Sequence, residues 1–177
     1  MTMGPRLRKA VLTTHVTTSV GWLGAVLAYI ALDVTAVISD DGQLVRAAYA
    51  AMEVTATYAL VPLALASVLV GTINALGTSW GLVQHYWVLL KFLLTLVASV
   101  VLLVESRTIS GLADAAATGA DPQSLPGTLP HSVGGLVVLL PVTILSVYKP
   151  RGVTPYGWRR QQERRREQDS QAAALSA

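Results

Sequence analysis

The chain has 177 residues, of which 53% are hydrophobic and only 13% are charged, and it contains no cysteine. A soluble domain of this length usually has about twice that charged fraction. The composition therefore excludes an ordinary soluble globular protein, and the lack of cysteine excludes disulfides, thiolate metal sites and iron–sulfur clusters. We predict an all-α, polytopic membrane domain over residues 1–150 and a basic tail over residues 151–177.

Four apolar stretches each have close to the roughly 20 residues that a helix needs to cross a hydrocarbon core. They cover approximately residues 10–32, 54–75, 87–104 and 131–148, and a start near Leu44 is the alternative for the second stretch. Helices are expected because every backbone amide in lipid must be bonded within its own segment. We predict an up-down bundle of four transmembrane helices, with residues 105–130 forming a long outer loop rich in Ala, Gly, Asp and Pro.

The distribution of basic residues predicts the orientation of the chain. Arg6, Arg8 and Lys9 precede the first stretch, and Lys149 begins a basic region that continues through an arginine cluster. Because basic residues favour the cytoplasmic side, both termini are expected in the cytoplasm, with the protein in a bacterial plasma membrane. The tail is expected either to lie on anionic lipid as a basic amphipathic helix or to be a solvated segment that only fixes topology.

Ionisable residues inside a span are costly and are therefore candidate functional residues. His15 lies on a helical face that continues through Trp22, Val26, Tyr29 and Asp33. Lys91 opens the third stretch, and its expected depth is similar to that of His15, so both are candidates for one cavity. The alternatives are a neutral His15 bonded to a hydroxyl and a Lys91 that extends along its methylenes to the interface.

A second group of polar residues is predicted at the opposite side of the bundle. It comprises Asp33, Glu53, Glu105 and His131, with one residue from each span. If Glu53 lies in hydrocarbon, His131 is its expected partner; if the second helix projects from the membrane, Glu53 is solvated. His85 is expected to belong to an interfacial aromatic belt with Trp80.

Two short motifs resemble those of a known family. The first stretch contains His15, Trp22 and Gly24, and the third opens with Trp87 and Lys91. This pattern resembles HemJ-type protoporphyrinogen oxidases and the related CopD-like membrane domains. The chain also resembles, over most of its length, uncharacterised actinobacterial four-helix membrane proteins. The HemJ-type resemblance implies haem b or porphyrin contact for His15 and Lys91, with Trp22 against the macrocycle and His85 as an alternative second ligand. The arginine that follows the tryptophan motif in that family is absent here, and no catalytic residue is assigned.

Three functions are compared on this basis. The first is a haem- or porphyrin-binding membrane protein in which His15 ligates the iron. The second is a non-enzymatic accessory or assembly subunit, either self-associating or bound to a membrane-complex partner. The third is a small-solute or proton pathway that uses His15, Lys91 and Glu53. No nucleic-acid partner is expected, and the sequence does not decide whether the protein is an enzyme.

Overall fold

The computed structural model describes residues 3–78, 81–121, 124–150 and 152–176. Its helices are α1 (Pro5–Ile38), α2 (Gly42–Thr55), α3 (Val61–Leu76), α4 (Tyr86–Ala117), α5 (Leu129–Tyr148) and α6 (Pro155–Ser176). A π-helical turn, Ala56–Leu60, joins α2 to α3 in one continuous helix. In the part of the chain that is described, four helices are long and apolar enough to cross a membrane: α1, α2 through α3, α4 and α5. The predicted all-α class and the four helices suited to crossing a membrane are therefore confirmed.

The helices pack around a shared interior. Helix α1 contacts both α5 and the continuous helix formed by α2 and α3, and α4 contacts the same two neighbours. Helices α1 and α4 therefore lie diagonally across the bundle. The buried residues of α1 are Trp22, Val26, Tyr29 and Asp33, which confirms the face predicted from their spacing.

The outer surface of the bundle is apolar. Leu69, Val97 and Val137 are each at least 60% exposed. Exposing these apolar side chains to water would be unfavourable, whereas exposing them to lipid is expected for a membrane helix. The residues buried in the interior, by contrast, include Asp33, Ser67 and Ser99. This arrangement is what a bilayer solvent favours, because polar side chains are costly against hydrocarbon.

Pro62 explains the π-helical turn. A proline within a helix lacks an N–H donor, and its ring clashes with the carbonyl four residues earlier. In this chain the turn just before Pro62 is widened, and the Val61 N–H donates to the Ala56 carbonyl, five residues earlier. Local π geometry is a known way to absorb such a disruption. Ala56 and Leu60, at the two ends of the turn, are both buried.

One end of the bundle has a tightly packed apolar core, and we call it the Asp33 end; the opposite end is called the His15 end. At the Asp33 end, α2 buries Val45, Ala48, Tyr49 and Met52, which recur at the spacing of one helix face. Its Asp41 cap accepts hydrogen bonds from the N–H groups of Gln43 and Leu44. The alternative start of the second helix near Leu44 is thus close to the observed start at Gly42.

The prediction of a loop over residues 105–130 is wrong for its first half. Helix α4 continues to Ala117, and it buries Ile109, Ala113 and Ala116 against the core that α2 helps to form. Ile109, Leu112, Ala113 and Ala116 recur at the spacing of one helix face, and packing of this face against another helix supplies most of the stability of such a segment. Residues 118–128 alone connect α4 to α5.

Helix α6 is attached to the α3–α4 connection at its first turn. The Thr154 hydroxyl donates to the Val83 carbonyl at 2.7 Å, and the Thr154 N–H donates to the Gln84 carbonyl at 3.0 Å. Further along, Arg164, Arg165 and Arg166 are consecutive and exposed, so they point in directions about 100° apart around the helix. Tyr156, Trp158 and Leu175 are also exposed on α6, and its arginines do not share one face.

Replacing Gly157 should loosen this attachment. A Cβ at Gly157 would overlap the Gln84 carbonyl and lie 2.7 Å from Val153 Cγ1. We expect Gly157→Ala to reduce the free energy that holds α6 against the α3–α4 connection by about 1–3 kcal/mol. Amide hydrogens near Thr154 should then exchange about 5- to 150-fold faster. Gly152→Ala is the matched control, because its Cβ would be at an ordinary 3.8 Å from the Tyr86 ring. Hydrogen exchange followed by mass spectrometry checks this, and equal exchange in the two variants would contradict it.

Candidate functional site: two polar clusters in the bundle

His15 lies against α3 at a glycine. A Cβ at Gly71 would come within 2.8 Å of His15 Cε1 and 3.2 Å of Nδ1, so only glycine lets the imidazole approach the helix this closely. One turn further along α1, the Ser19 and Ser67 hydroxyls are hydrogen-bonded at 2.8 Å. His15 Nδ1 is buried and has no hydrogen-bond partner among the described residues. The alternative of an imidazole whose Nδ1 is bonded to a hydroxyl is therefore not observed.

Lys91 is held inside the His15 end by α4 and α5. Its Nζ donates to the Ser146 hydroxyl at 3.2 Å and lies 5.6 Å from the centre of a Trp87 ring, a distance that allows a cation–π contact. No acidic side chain in the described residues forms a salt bridge with it. Lys149 is close enough to Lys91 to interact electrostatically.

His15 and Lys91 lie at the same end of the bundle, near enough for their charges to interact, although they come from helices that are diagonal in the bundle. We call His15, Lys91 and Ser146 the His15 cluster. Its ionisable members are both basic, so its chemistry suits an anionic group.

Two other residues predicted for the same site lie elsewhere. Trp22 is buried two turns along α1 from His15 and lines a cavity nearer the Asp33 end. His85 precedes the first turn of α4, where its backbone pairs with Val153. Trp80, the predicted partner of His85 in an interfacial belt, is outside the described residues.

Asp33 is the most deeply buried ionisable residue of α1, with 1% of its surface exposed. Its Oδ2 accepts a 2.7 Å hydrogen bond from the Ser132 hydroxyl of α5. Its Oδ1 is buried without a partner in the described part of the chain. Nearby, the hydroxyls of Tyr29 and Thr128 are 3.4 Å apart. These residues form a second polar site, which we call the Asp33 cluster.

His131 pairs with Glu105 and not with Glu53. His131 Nε2 lies 3.5 Å from Glu105 Oε1, and the His131 side chain is 56% exposed. Of the two alternatives for Glu53, its pairing with His131 is therefore not found. The reason is geometric, because α4 and α5 are direct neighbours, whereas Glu53 belongs to α2. Glu53 is half-buried, at the end of the bundle where helices extend beyond the length of a span.

The hydrogen-bond partners of Asp33 and Lys91 are two serines that were not among the predicted site residues. Ser132 and Ser146 lie on α5, roughly four turns apart and therefore on one face. In an apolar helix, two hydroxyls on a common face are a signal that this face points to the interior. No three histidine, aspartate or glutamate residues converge to hold a metal ion within the described ranges.

The comparisons with known proteins assign no family or function to this chain. The chain has no significant match among protein-family models, curated proteins or solved structures.

Loss of the Ser132 hydroxyl should destabilise the bundle through Asp33. In Ser132→Ala the buried carboxyl group has no partner on either oxygen, and the expected cost is about 1–3 kcal/mol in the free energy of unfolding. In an Asp33→Ala background the same change should cost much less, because the unsatisfied group is gone. Denaturant titration in detergent micelles measures both values.

Ser110→Ala is the control for that measurement. The Ser110 hydroxyl donates only to a carbonyl of its own helix, that of Ser106, so its loss should change the free energy by less than about 0.5 kcal/mol. Equal effects of Ser132→Ala and Ser110→Ala would contradict the role given to the Asp33 hydrogen bond.

Proposed function

We propose that the chain crosses the membrane four times in an up-down arrangement, with both termini in the cytoplasm. Contacts between chain ends support this arrangement: the Met3 N–H donates to the Gly77 carbonyl, and the Tyr86 N–H donates to the Gly152 carbonyl. The start of α1 thus lies beside the end of α3, and the start of α4 lies just beyond the end of α5. The basic residues in the first turns of α1 and after α5 support a cytoplasmic location for this end.

The natural lack of cysteine makes this topology directly testable. Gln168→Cys, on α6, and Ala117→Cys, at the end of α4, each introduce one thiol at an exposed position. In intact cells a membrane-impermeant maleimide should label Ala117→Cys and leave Gln168→Cys unlabelled. Permeabilised cells should label both. The reverse labelling in intact cells would contradict the orientation.

We propose further that the His15 cluster binds an amphiphilic molecule that carries a carboxylate, and that haem b or a porphyrin is this molecule. The observation that supports the proposal is that two basic side chains, His15 and Lys91, lie at the same end of an apolar bundle, near enough for their charges to interact. A buried cation needs a counter-ion or a strong acceptor, and Lys91 contacts a hydroxyl and an indole ring. A carboxylate bound between His15 and Lys91 would satisfy both.

The residues of the cluster fit part of a porphyrin site. His15 Nδ1 has no hydrogen-bond partner among the described residues, as an iron ligand or an acceptor for a ligand requires. Because the ring is packed against Gly71, it would have to turn away from α3 to reach an iron. Lys91 would hold a propionate through its compact ammonium group. Bound haem would supply an iron centre for redox chemistry. Trp22 and His85 lie outside the cluster, so the proposal depends on His15 and Lys91.

An optical spectrum of the purified protein tests the haem proposal. We expect a Soret band that is weakened in His15→Ala and retained in His131→Ala, since His131 belongs to the other end of the bundle. Protein that is colourless after purification from haem-replete cells would contradict haem binding. A band lost in His131→Ala and kept in His15→Ala would contradict the site.

Lys91 provides a separate test of the carboxylate contact. Lys91→Met keeps the side-chain length and removes the charge, and Lys91→Arg replaces a compact ammonium with a broad planar guanidinium. We expect both variants to fold and to retain less porphyrin than the wild type, measured as porphyrin per protein after gel filtration. If both retain as much as the wild type, Lys91 has only an anchoring role.

A further inference from the structure

A separate cavity of about 320 Å³ lies between α1, the π-helical turn, α4 and α5. Its volume is within the range of small-molecule sites. The apolar part of its wall includes Trp22, Val26, Leu60, Val101 and Leu139. His15 and Lys91 are not among the lining residues, so this cavity is distinct from the His15 cluster.

The cavity opens sideways between α4 and α5. Val97 and Val101 of α4 line it and are 60% and 45% exposed, and Gly134 of α5 is exposed on the other side of the opening. A Cβ at Gly134 or Gly135 would meet no atom within 4 Å. Two successive residues without side chains therefore leave a gap in the wall that faces lipid, through which a molecule dissolved in the bilayer can enter.

The polar end of the cavity is rich in hydrogen-bond acceptors. Glu105 and His131 line it as a pair, and Tyr29, Thr128 and Ser132 line it beside them. Glu105 contacts His131 through its Oε1 atom, and Ser132 links this end of the cavity to the buried Asp33 carboxyl group. The lining contains no lysine or arginine. The cavity thus combines an apolar body with a carboxylate-bearing end.

We propose that this cavity binds a lipid-soluble molecule with an apolar body and a compact ammonium head group, with the ammonium at Glu105. An ammonium that leaves water needs acceptors for its N–H groups, and a carboxylate is the strongest acceptor available. Glu105 offers a charge partner, and the hydroxyl oxygens of Tyr29 and Thr128 are additional acceptors. An anionic head group would meet a carboxylate without a compensating lysine or arginine in the wall.

Bromoalkyl probes test this proposal, because Trp22 lies in the cavity wall and bromine quenches tryptophan fluorescence at short range. The probes are 8-bromooctylamine, 8-bromooctanol and 8-bromooctanoic acid, each titrated into the purified full-length protein in vesicles. We expect saturable quenching by the amine at concentrations at least about tenfold below those of the alcohol and the acid. Trp22→Phe should remove the saturable component.

Variants with matched controls separate the cavity from partitioning into lipid. Gly135→Leu fills the cavity and should abolish saturable quenching. Gly24 does not line the cavity, and a Cβ there also meets nothing within 4 Å. In Gly24→Leu the probe should therefore quench tryptophan fluorescence as it does in the wild type. Glu105→Gln keeps the shape of the side chain and removes its charge. It should weaken the affinity for the amine about tenfold or more and leave the affinity for the alcohol unchanged.

Each other outcome overturns the proposal. Equal saturable quenching in Gly135→Leu and Gly24→Leu would show that the probe is not in this cavity. Equal affinity for the amine and the alcohol, or an unchanged amine affinity in Glu105→Gln, would show that the head-group assignment is wrong. Size-exclusion profiles and helical circular dichroism establish that the variants are folded, and the Glu105→Gln result stands without the cavity-filling variant.

Discussion

An apolar exterior is the constraint on which the rest of this bundle depends. Leucine and valine side chains face outward along α1, α3, α4 and α5, so the polar side chains of these helices have to find partners inside. Ser19 bonds Ser67, Lys91 bonds Ser146, and Ser132 bonds Asp33. These bonds connect α1 to α3, α4 to α5 and α5 to α1. The polar contacts therefore tie together the helices that surround the interior.

The two polar clusters differ in charge and lie far apart. His15 and Asp33 are on the same face of α1, and their separation along the helix is roughly 27 Å at 1.5 Å per residue. This distance is close to the thickness of a hydrocarbon core of about 30 Å. The basic cluster and the acidic cluster therefore lie near opposite ends of the apolar bundle, with Trp22 and Val26 between them. A ligand at one cluster has little direct electrostatic contact with the other.

The Asp33 end is built differently from the middle of the bundle. There α2 and the extension of α4 pack a core in which Val45, Met52 and Ile109 are almost completely buried. Helices of this length, 34 residues for α1, extend well beyond one hydrocarbon thickness. The packed end keeps the start of α5 against α1 and α4. It thereby positions Ser132 beside Asp33 and His131 beside Glu105, and it closes one end of the lateral cavity.

The sequence by itself determined the class of protein, the approximate spans and the buried face of α1. These features are local, because the length of an apolar stretch and the spacing of Trp22, Tyr29 and Asp33 can be read within one segment. Only the tertiary structure decided the partners of the polar groups and the helical state of residues 105–117. A serine on α5 carries no mark of the residue it will bond, and the pairing of His131 with Glu105 follows from the placement of α4 beside α5. The end of α4 carries apolar residues at helical spacing, but polar residues and Gly111 lie between them, and such a short face becomes stably helical through the surface that another helix provides.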